Sequence, residues 1–336
     1  MLVSRPENVR YLSGFTGSNG ALLVGREVSP VLATDGRYVL QAGAEVPALE
    51  LLEASRVAAA LVARAGGAGG LRLGFEAHYV TVEALRTLEE AAAGRVSLVP
   101  AGRLVERLRV VKDAVEIEAL RQACQATDQA YEALLSRLRV GITEVDAEWA
   151  LLAELRAAGA DGASFPTIVA FGSNAAVPHH HPTDRKLERG DLVKLDFGAL
   201  VDGYHADMTR TVVLGRASAW QRDLHDEVRD IQGSLAAMVE PGVVPADLDA
   251  DMRQRITSAG HSVSHGLGHG VGLEIHEDPF LTDRSPAPPL EAGMVVTVEP
   301  GIYVEGRGGV RIEDSVLVTA SGCESLTRSP RELIEI

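Results

Sequence analysis

The chain has 336 residues, of which 46% are hydrophobic and 24% charged, and its formal net charge is −15. This length suffices for two domains that each bury a core, and so acidic a surface would repel the phosphates of nucleic acid. The apolar runs are too short to cross a bilayer and no signal-peptide pattern opens the chain, so we expect a cytoplasmic protein without nucleic-acid or membrane partners.

The first hundred residues predict a small α/β domain. Short apolar runs bounded by Gly and Asp, at 21–24 and 30–34, indicate buried strands. Residues 55–64 and 81–92 are rich in Ala, Leu and Glu and indicate helices, with a glycine-rich loop at 65–70 between them. We place this domain at residues 1–108 and a second domain at 109–336.

The second domain begins with a predicted amphipathic helix from Val115, followed by a helix that Thr143 and Asp146 cap. Later segments predict helices from Ser218 to Pro241 and from Pro245 to about Gly260. Strands are predicted at 164–172, 191–200, 203–215, 293–304 and 308–319. This order is typical of an α+β domain in which helices cover one face of a mainly antiparallel sheet.

Acidic residues interrupt two of these strands where a buried sheet face is expected. Asp202-Gly203 is a hairpin signal, and a hairpin turning there pairs Asp196 with Thr209 and places Asp207 diagonally on the same face. A single Asp at a strand end could be satisfied by backbone amides. Two carboxylates at this spacing would repel each other, which favours a bound cation.

A second predicted hairpin repeats this arrangement. Glu299 and Glu313 lie on either side of the glycine-rich turn at 306–309, so an acid again interrupts each strand. The repetition suggests internal pseudo-symmetry, and four carboxylates carry the charge that complements two divalent cations.

The stretch SHGLGHGVGLEIHE, residues 264–277, alternates Gly with other residues. It lacks the spacing of a dinucleotide-binding loop, the lysine of a P-loop and an HExxH pattern, and its glycines disfavour a zinc-binding helix. Alternation predicts a strand over 265–273 with His265 and His269 on one face and room for close backbone approach on the other. We expect at least one of these histidines to bind a metal.

In their order along the chain, these residues resemble the ligand set of the dinuclear pita-bread metallopeptidases: Asp196, Asp207, His269, Glu299 and Glu313. That family includes methionine aminopeptidase, aminopeptidase P and prolidase. The strings LDFGALVDGYHADMTRT, HGLGHGVGLEIHE, TVEPGIY and GVRIEDS are similar to its proline-specific branch (M24B), as is NAAVPHHHPT around His179. NVRYLSGFTGSNG, residues 8–20, is similar to the creatinase-like N-terminal domain of that branch.

The resemblance implies an exopeptidase that uses two divalent metal ions to cleave peptides with proline at the second position. Asp207 and Glu313 would bridge the two ions, Asp196 would complete one shell, and His269 with Glu299 would complete the other. So oxygen-rich a site favours Mn²⁺, with Co²⁺ or Zn²⁺ possible. A hydroxide shared by the ions would attack the Xaa-Pro carbonyl, with Glu299 as general base.

Other residues acquire expected roles from the same resemblance. His276 and His179 would stabilise the developing oxyanion and the proline nitrogen. His265 is expected to line the substrate pocket, and Tyr303 either contacts the site or packs beside it. Arg311 either orients the nearby Glu313 carboxylate or forms a structural ion pair.

Three residues have weaker assignments. Arg284 is a candidate for binding a substrate carboxylate, with a surface role as its alternative. His180 and His181 are expected to be loop residues.

The motifs leave open whether the enzyme takes only Xaa-Pro dipeptides or longer peptides as well. A catalytically inactive pita-bread module that binds partners is the alternative from another class. The resemblance also implies a homodimer. It implies a helix before the first strand, at about Leu2, so we expect a shortened N-terminal domain.

Overall fold

The computed structural model describes residues 1–26, 29–68, 71–283 and 287–336. The chain divides into two compact units, Met1–Arg109 and Val110–Ile336. The domain boundary predicted after residue 108 falls just before this division. Within the described ranges, no helix is both long and apolar enough to span a membrane.

The first unit contains a six-stranded sheet in the order β4-β3-β2-β1-β5-β6. Its strands are β1 (Leu2–Val3), β2 (Gly20–Leu23), β3 (Val31–Thr34), β4 (Glu50–Glu53), β5 (Leu71–Glu76) and β6 (Val96–Ala101). Its helices are α1 (Pro6–Ser13), α2 (Val39–Glu45), α3 (Val57–Ala65), α4 (Val82–Ala92) and α5 (Leu104–Arg109). The strands and helices predicted from the apolar runs and Ala-rich stretches are confirmed within a few residues.

The second unit has the predicted α+β composition, and every strand pair in its described part is antiparallel. Its helices are α6 (Ala114–Leu135), α7 (Glu144–Ala157), α8 (Ala219–Ala236) and α9 (Pro245–Ser258). Its first strands are β7 (Gly162–Ala163), β8 (Ile168–Phe171), β9 (Leu192–Phe197), β10 (Ala199–Val201), β11 (Tyr204–His205) and β12 (Met208–Val213). The later ones are β13 (Gly268–Gly270), β14 (Glu277–Leu281), β15 (Val295–Val298), β16 (Gly301–Val304), β17 (Gly308–Arg311), β18 (Asp314–Thr319) and β19 (Gly322–Ser325).

Side-chain caps fix where the helices of this unit begin. Thr143 caps α7 by accepting from the Asp146 amide, as predicted. Ser218 and Gln221 form a capping box at the start of α8. Each acid-bearing hairpin then shares an apolar core with one helix pair: α6 and α7 pack with β9 and β12, and α8 and α9 pack with β15 to β18.

The first acid-bearing hairpin has the predicted register. Strands β9 and β12 pair antiparallel with Asp196 opposite Thr209, and β10 and β11 close the hairpin around Asp202 and Gly203. The φ angles of these two turn residues are 46° and 71°, the left-handed values that a type I′ turn requires. Asp207 lies two residues before Thr209, so alternation brings its carboxylate to the face that carries Asp196.

The second hairpin also brings its two acids together, although its strands are shorter than predicted. Val298 pairs with Asp314, and the same register continues in β16 and β17. Glu299 and Glu313 therefore lie opposite each other between the two paired segments. The prediction of two continuous strands is wrong in extent, because each strand is interrupted at its acid. In the first of them, Pro300 has no N–H to donate to the ladder.

The alternating glycines form a shorter strand than predicted as well. Only part of the stretch 265–273 forms β13, so the predicted length is wrong. A Cβ at Gly268 would collide with the backbone oxygen of Thr297, and one at Gly270 with that of Asp278. The prediction that these glycines allow close backbone approach is confirmed.

Candidate metal centre and substrate cleft

A cleft of about 480 Å³ opens on the acid-bearing faces of both hairpins. Nine of the ten predicted site residues line it: His179, Asp196, Asp207, His265, His269, His276, Glu299, Arg311 and Glu313. Apolar side chains, among them Phe165, Ile168 and Phe280, supply another part of its wall. The cleft therefore combines a concentrated group of charged residues with an apolar surface, as a peptide site requires.

Three predicted ligands form the tightest cluster. One side-chain ligand atom each of Asp207, His269 and Glu313 lies within 4.8 Å of the other two, and all three residues are buried. His269 Nε2 is 3.5 Å from Asp207 Oδ2, while its Nδ1 is 3.0 Å from the Gly270 carbonyl oxygen. The backbone contact orients the ring so that Nε2 is directed at the carboxylates.

The other two predicted ligands adjoin this cluster. Glu299 Oε1 is 3.5 Å from His269 Nε2, on the side of the ring that also faces Asp207. Asp196 is buried on β9 and forms an ion pair with Arg311. All five predicted ligands thus surround one small volume.

The carboxylates of this volume are poorly compensated by the protein. Burial, together with the charges of Asp196 and Glu299, raises the pKa of Asp207 well above its ordinary value. Burial and the charge of Asp207 do the same to the pKa of Glu313. Burial, with the charge of Asp196, raises the pKa of Glu299 to about 8. Repulsion and desolvation thus oppose ionisation of all three acids.

Two oxygens of the cluster have no hydrogen-bond partner among the residues that the structure describes. Asp207 Oδ1 and Glu313 Oε1 are buried and unsatisfied. Buried polar atoms are nearly always paired, and oxygen atoms aimed into a shared volume are the ligands that hard divalent cations prefer. The donor set therefore fits a metal centre better than it fits a purely structural cluster.

His269 is suited to be a neutral metal ligand. Burial and the neighbouring His276 lower the pKa of its imidazole to about 3. The two rings are in edge contact, with 4.3 Å between their centroids. Because the ring is neutral at pH 7, Nε2 can offer a lone pair to a cation.

Arg311 forms an ion pair with Asp196 and is linked to Glu313 through a threonine. Its Nη2 donates to Asp196 Oδ2, and its Nε donates to the hydroxyl of Thr209 at 3.0 Å. That hydroxyl donates to Glu313 Oε2 at 2.7 Å. The guanidinium extends across the hairpins towards Asp196 and reaches Glu313 through Thr209, so both roles left open by the sequence stay predictions.

His265 and Tyr303 form a pair at one end of the cleft. His265 Nε2 is 2.8 Å from the Tyr303 hydroxyl, which also accepts a hydrogen bond from Arg311 Nη1 at 2.7 Å. Burial and the charge of Arg311 lower the pKa of His265 to about 4, so the ring is neutral at pH 7. Tyr303 thus connects a histidine that lines the cleft to the arginine that pairs with Asp196.

His276 and His179 are the exposed histidines of the predicted set. Burial of its inner edge and the proximity of His179 lower the pKa of His276. Both rings line the cleft. Their predicted catalytic roles stay predictions.

His180 was expected to be a loop residue without a role, but it contacts a buried acid. Its Nε2 is 2.8 Å from Glu144 Oε2, a carboxylate that is completely buried. His181 lines the cleft and is exposed. Arg284, the candidate for a substrate carboxylate, lies outside the described residues.

Sequence reasoning missed three residues that support the site: Thr209, Glu144 and Lys194. Thr209 was named as the partner of Asp196, and its hydroxyl could have been recognised as a link between ligands. Lys194 lies two residues before Asp196 and so shares its face of the strand, which was a usable signal. Burial and the charge of Arg311 lower the pKa of Lys194 to about 6.

Two family models match the chain, one for each part. The Metallopeptidase family M24 model matches residues 118–320, and the Creatinase/Prolidase N-terminal domain model matches residues 1–111. An uncharacterized peptidase of Bacillus subtilis, YqhT, is 40% identical over 99% of this chain and 95% of its own length.

Two solved structures are similar over the whole chain. The Xaa-Pro dipeptidase from Bacillus anthracis has a TM-score of 0.94 and 38% identity, covering 100% of this chain and 94% of its own. The X-Pro aminopeptidase from Thermotoga maritima has a TM-score of 0.92 and 34% identity, covering 100% of this chain and 97% of its own. Their names differ in the length of peptide cleaved, so this likeness does not distinguish the two activities.

Proposed function

The chain belongs to metallopeptidase family M24, with a creatinase-type N-terminal domain and the pita-bread α+β fold, and we propose that it hydrolyses the peptide bond before proline. The substrates are peptides with a free N-terminus and proline in the second position. Relatives named Xaa-Pro dipeptidase and X-Pro aminopeptidase support this substrate class.

One observation carries the proposal. Asp207 and Glu313 each keep a buried oxygen without a protein partner, next to a neutral histidine and inside a cleft of peptide size. Such a cluster is costly to fold unless a cation compensates it. The five predicted ligands would hold two divalent ions, with Mn²⁺ as the preferred metal.

The bound ions supply Lewis-acid activation of water and of the scissile carbonyl. Glu299 would accept the proton of the attacking water on a carboxylate oxygen, since that carboxylate adjoins the ligand cluster, 3.5 Å from His269 Nε2. His276 and His179 donate N–H groups at the cleft opening to the developing oxyanion and the proline nitrogen. The apolar wall holds the first side chain or the proline ring.

Hydrolysis assays with defined peptides test this function. Metal-free protein reconstituted with Mn²⁺, Co²⁺ or Zn²⁺ should cleave Xaa-Pro peptides, and a matched Xaa-Ala series should be cleaved far more slowly. Asp207→Ala should abolish the metal-dependent rate. Undiminished activity in that variant, or equal cleavage of both series, would contradict the proposal.

Peptide length separates the two forms of the activity. Cleavage of Xaa-Pro but not of Xaa-Pro-Yaa-Zaa indicates a dipeptidase, whereas cleavage of both indicates aminopeptidase P activity. An inactive binding module would cleave neither at any metal concentration. Homodimer assembly and cytoplasmic location stay predictions.

A further inference from the structure

The segment that carries His179 is held by charged side chains that lie outside the predicted ligand set. This segment, residues 171–183, runs from the end of β8 through a short 3₁₀ turn to the edge of the cleft, and we call it the histidine segment. His179 itself is exposed, so its own packing does little to fix its ring. Its position depends on how the surrounding backbone is anchored.

Glu144 anchors the two ends of the histidine segment. It is the first residue of α7, and its side chain is completely buried. Oε1 accepts from the Phe171 amide at 2.8 Å and from Asn174 Nδ2 at 2.9 Å. Oε2 accepts from the amide and hydroxyl of Thr183 at 2.9 and 2.6 Å, and it is 2.8 Å from His180 Nε2.

These contacts make Glu144 a fully satisfied buried carboxylate. Burial raises its pKa, but the hydrogen bonds from Thr183 and His180 outweigh burial and hold the pKa below its ordinary value. One acid therefore joins the beginning of the histidine segment to its end, across twelve positions of the chain. Such a closed loop can move only if several charge-assisted hydrogen bonds break together.

Lys194 anchors the middle of the same segment. Its side chain is completely buried on β9, and Nζ donates to the carbonyl oxygens of Val177 and Pro178 at 2.6 and 3.1 Å. These are the two residues immediately before His179. Nζ also lies 5.1 Å from the centre of the Tyr303 ring, a distance at which a cation and an aromatic ring attract each other. A charged or a neutral amine has enough N–H donors for both carbonyls.

We propose that Glu144 and Lys194 are positioning residues that hold His179 in the orientation required for hydrolysis. The inference rests on the proposed function, because His179 has a catalytic role only if a peptide is cleaved in the cleft. Neither side chain lines the cleft, so each acts through the backbone of the histidine segment. Displacing a catalytic group by about 1 Å can lower a rate on the order of 100-fold, so anchors of this kind affect the reaction strongly.

Kinetic coupling to His179 distinguishes positioning from general support of the fold. His179→Ala should lower kcat/KM by roughly 100-fold, as loss of an acid–base group does. Lys194→Met and Glu144→Gln preserve side-chain shape and should each lower kcat/KM about tenfold, mainly through kcat. In the His179→Ala background, the same substitutions should change kcat/KM by less than about twofold, because the residue that they position is absent.

Lys186→Met and Glu240→Gln are the matched controls, since both residues are exposed. They should leave kcat/KM unchanged in either background. If Lys194→Met and Glu144→Gln lower kcat/KM by the same factor with and without His179, their role is structural and the proposal is wrong. Unchanged kcat/KM in both variants also overturns it. If Glu144→Gln does not fold, Lys194→Met alone decides by the same criteria.

Hydrogen exchange provides a readout that does not depend on activity. Amides of the histidine segment should exchange faster in both variants, while amides of β15 and β18 and the metal content stay unchanged. Unaltered exchange in the histidine segment overturns the anchoring. Failure of the parent protein to cleave any Xaa-Pro peptide would instead refute the proposed function, and the exchange data would still judge the anchoring.

Discussion

Glu313 and Asp314 are consecutive buried acids where β18 begins, yet the protein surrounds them in opposite ways. Asp314 Oδ1 accepts from Arg210 and Thr327, and Oδ2 accepts from Gln232 and Arg331, at 2.6 to 2.8 Å. Burial raises the pKa of Asp314, but the two arginines outweigh burial and hold the pKa below its ordinary value.

Glu313 has no such set of donors. Thr209 serves one of its oxygens, the other has no partner, and burial with the charge of Asp207 raises its pKa. The two residues point to opposite faces because side chains alternate along a strand. The comparison teaches that a buried acid matched by protein cations supports the fold, whereas an unmatched one is available to an external cation.

The largest expected effect comes from removing the unmatched acid. Glu313→Gln should lower kcat/KM at saturating metal by at least roughly 10³-fold, because a proposed metal ligand is lost. Without metal, the same change removes an acid whose ionisation burial opposes, so the thermal midpoint at neutral or alkaline pH should rise by about 2–4 °C. Activity assays and calorimetry with a chelator measure the two results. A large loss of metal-free stability would show that Glu313 supports the fold as Asp314 does.

Removing Asp314, the acid that protein cations match, should lower stability and leave metal binding unchanged. Asp314→Asn leaves Arg210 and Arg331 without their shared counter-charge and should lower the free energy of unfolding by about 3–5 kcal/mol. Urea denaturation measures this loss, with Asp223→Asn on the exposed side of α8 as the control. The folded variant should still bind metal in the parent ratio, and selective loss of metal would show that Asp314 belongs to the site.

The pH dependence of metal-free stability should isolate Glu313. An acid with a raised folded-state pKa binds more protons folded than unfolded, so its contribution to stability falls as pH rises towards the folded-state pKa. At pH values above the ordinary pKa of a glutamate and below the raised pKa, the unfolding free energy of the parent should fall with pH more steeply than that of Glu313→Gln, by about 1 kcal/mol per pH unit. Denaturation series at fixed chelator concentration measure both slopes, and identical slopes would mean that Glu313 ionises normally.

The smallest expected effects on metal binding and stability come from replacing the threonines that donate to Glu313 and Asp314. Thr209→Val removes the donor to Glu313 and should weaken metal binding about 10–100-fold, the range for residues that orient ligands. Thr327→Val removes a donor to Asp314 and should cost about 1 kcal/mol of stability without changing metal affinity. Metal titration and urea denaturation of both variants measure these effects. Weaker metal binding in Thr327→Val, with unchanged metal binding in Thr209→Val, would contradict the prediction.

The first hairpin could be predicted from sequence because its determinants are local. Asp202-Gly203 specifies a two-residue turn, and the turn fixes which residues of β9 and β12 face each other. The alternation of side chains then placed Asp196 and Asp207 on one face. The same rule separates Glu313 from Asp314, a signal that the sequence already contained.

Contacts between distant segments could not be predicted in this way. Arg311 and Asp196 are 115 positions apart, and their pairing depends on how the two hairpins pack. Glu144 looks like an ordinary acid at a helix N-terminus, and only the fold reveals the donors gathered around it. The apolar composition of β15 and β16 suggested one continuous strand, although Pro300 was a signal for the break.

The turn at Asp202 and Gly203 has a consequence for natural sequence variation. Gly203 adopts a positive φ that side chains rarely tolerate, and it is separated from the acids of the cleft by several residues of each strand. A substitution there would shift the register that sets Asp196 against Thr209. A substitution at this turn should therefore weaken metal binding, although the altered residue lies outside the predicted ligand set.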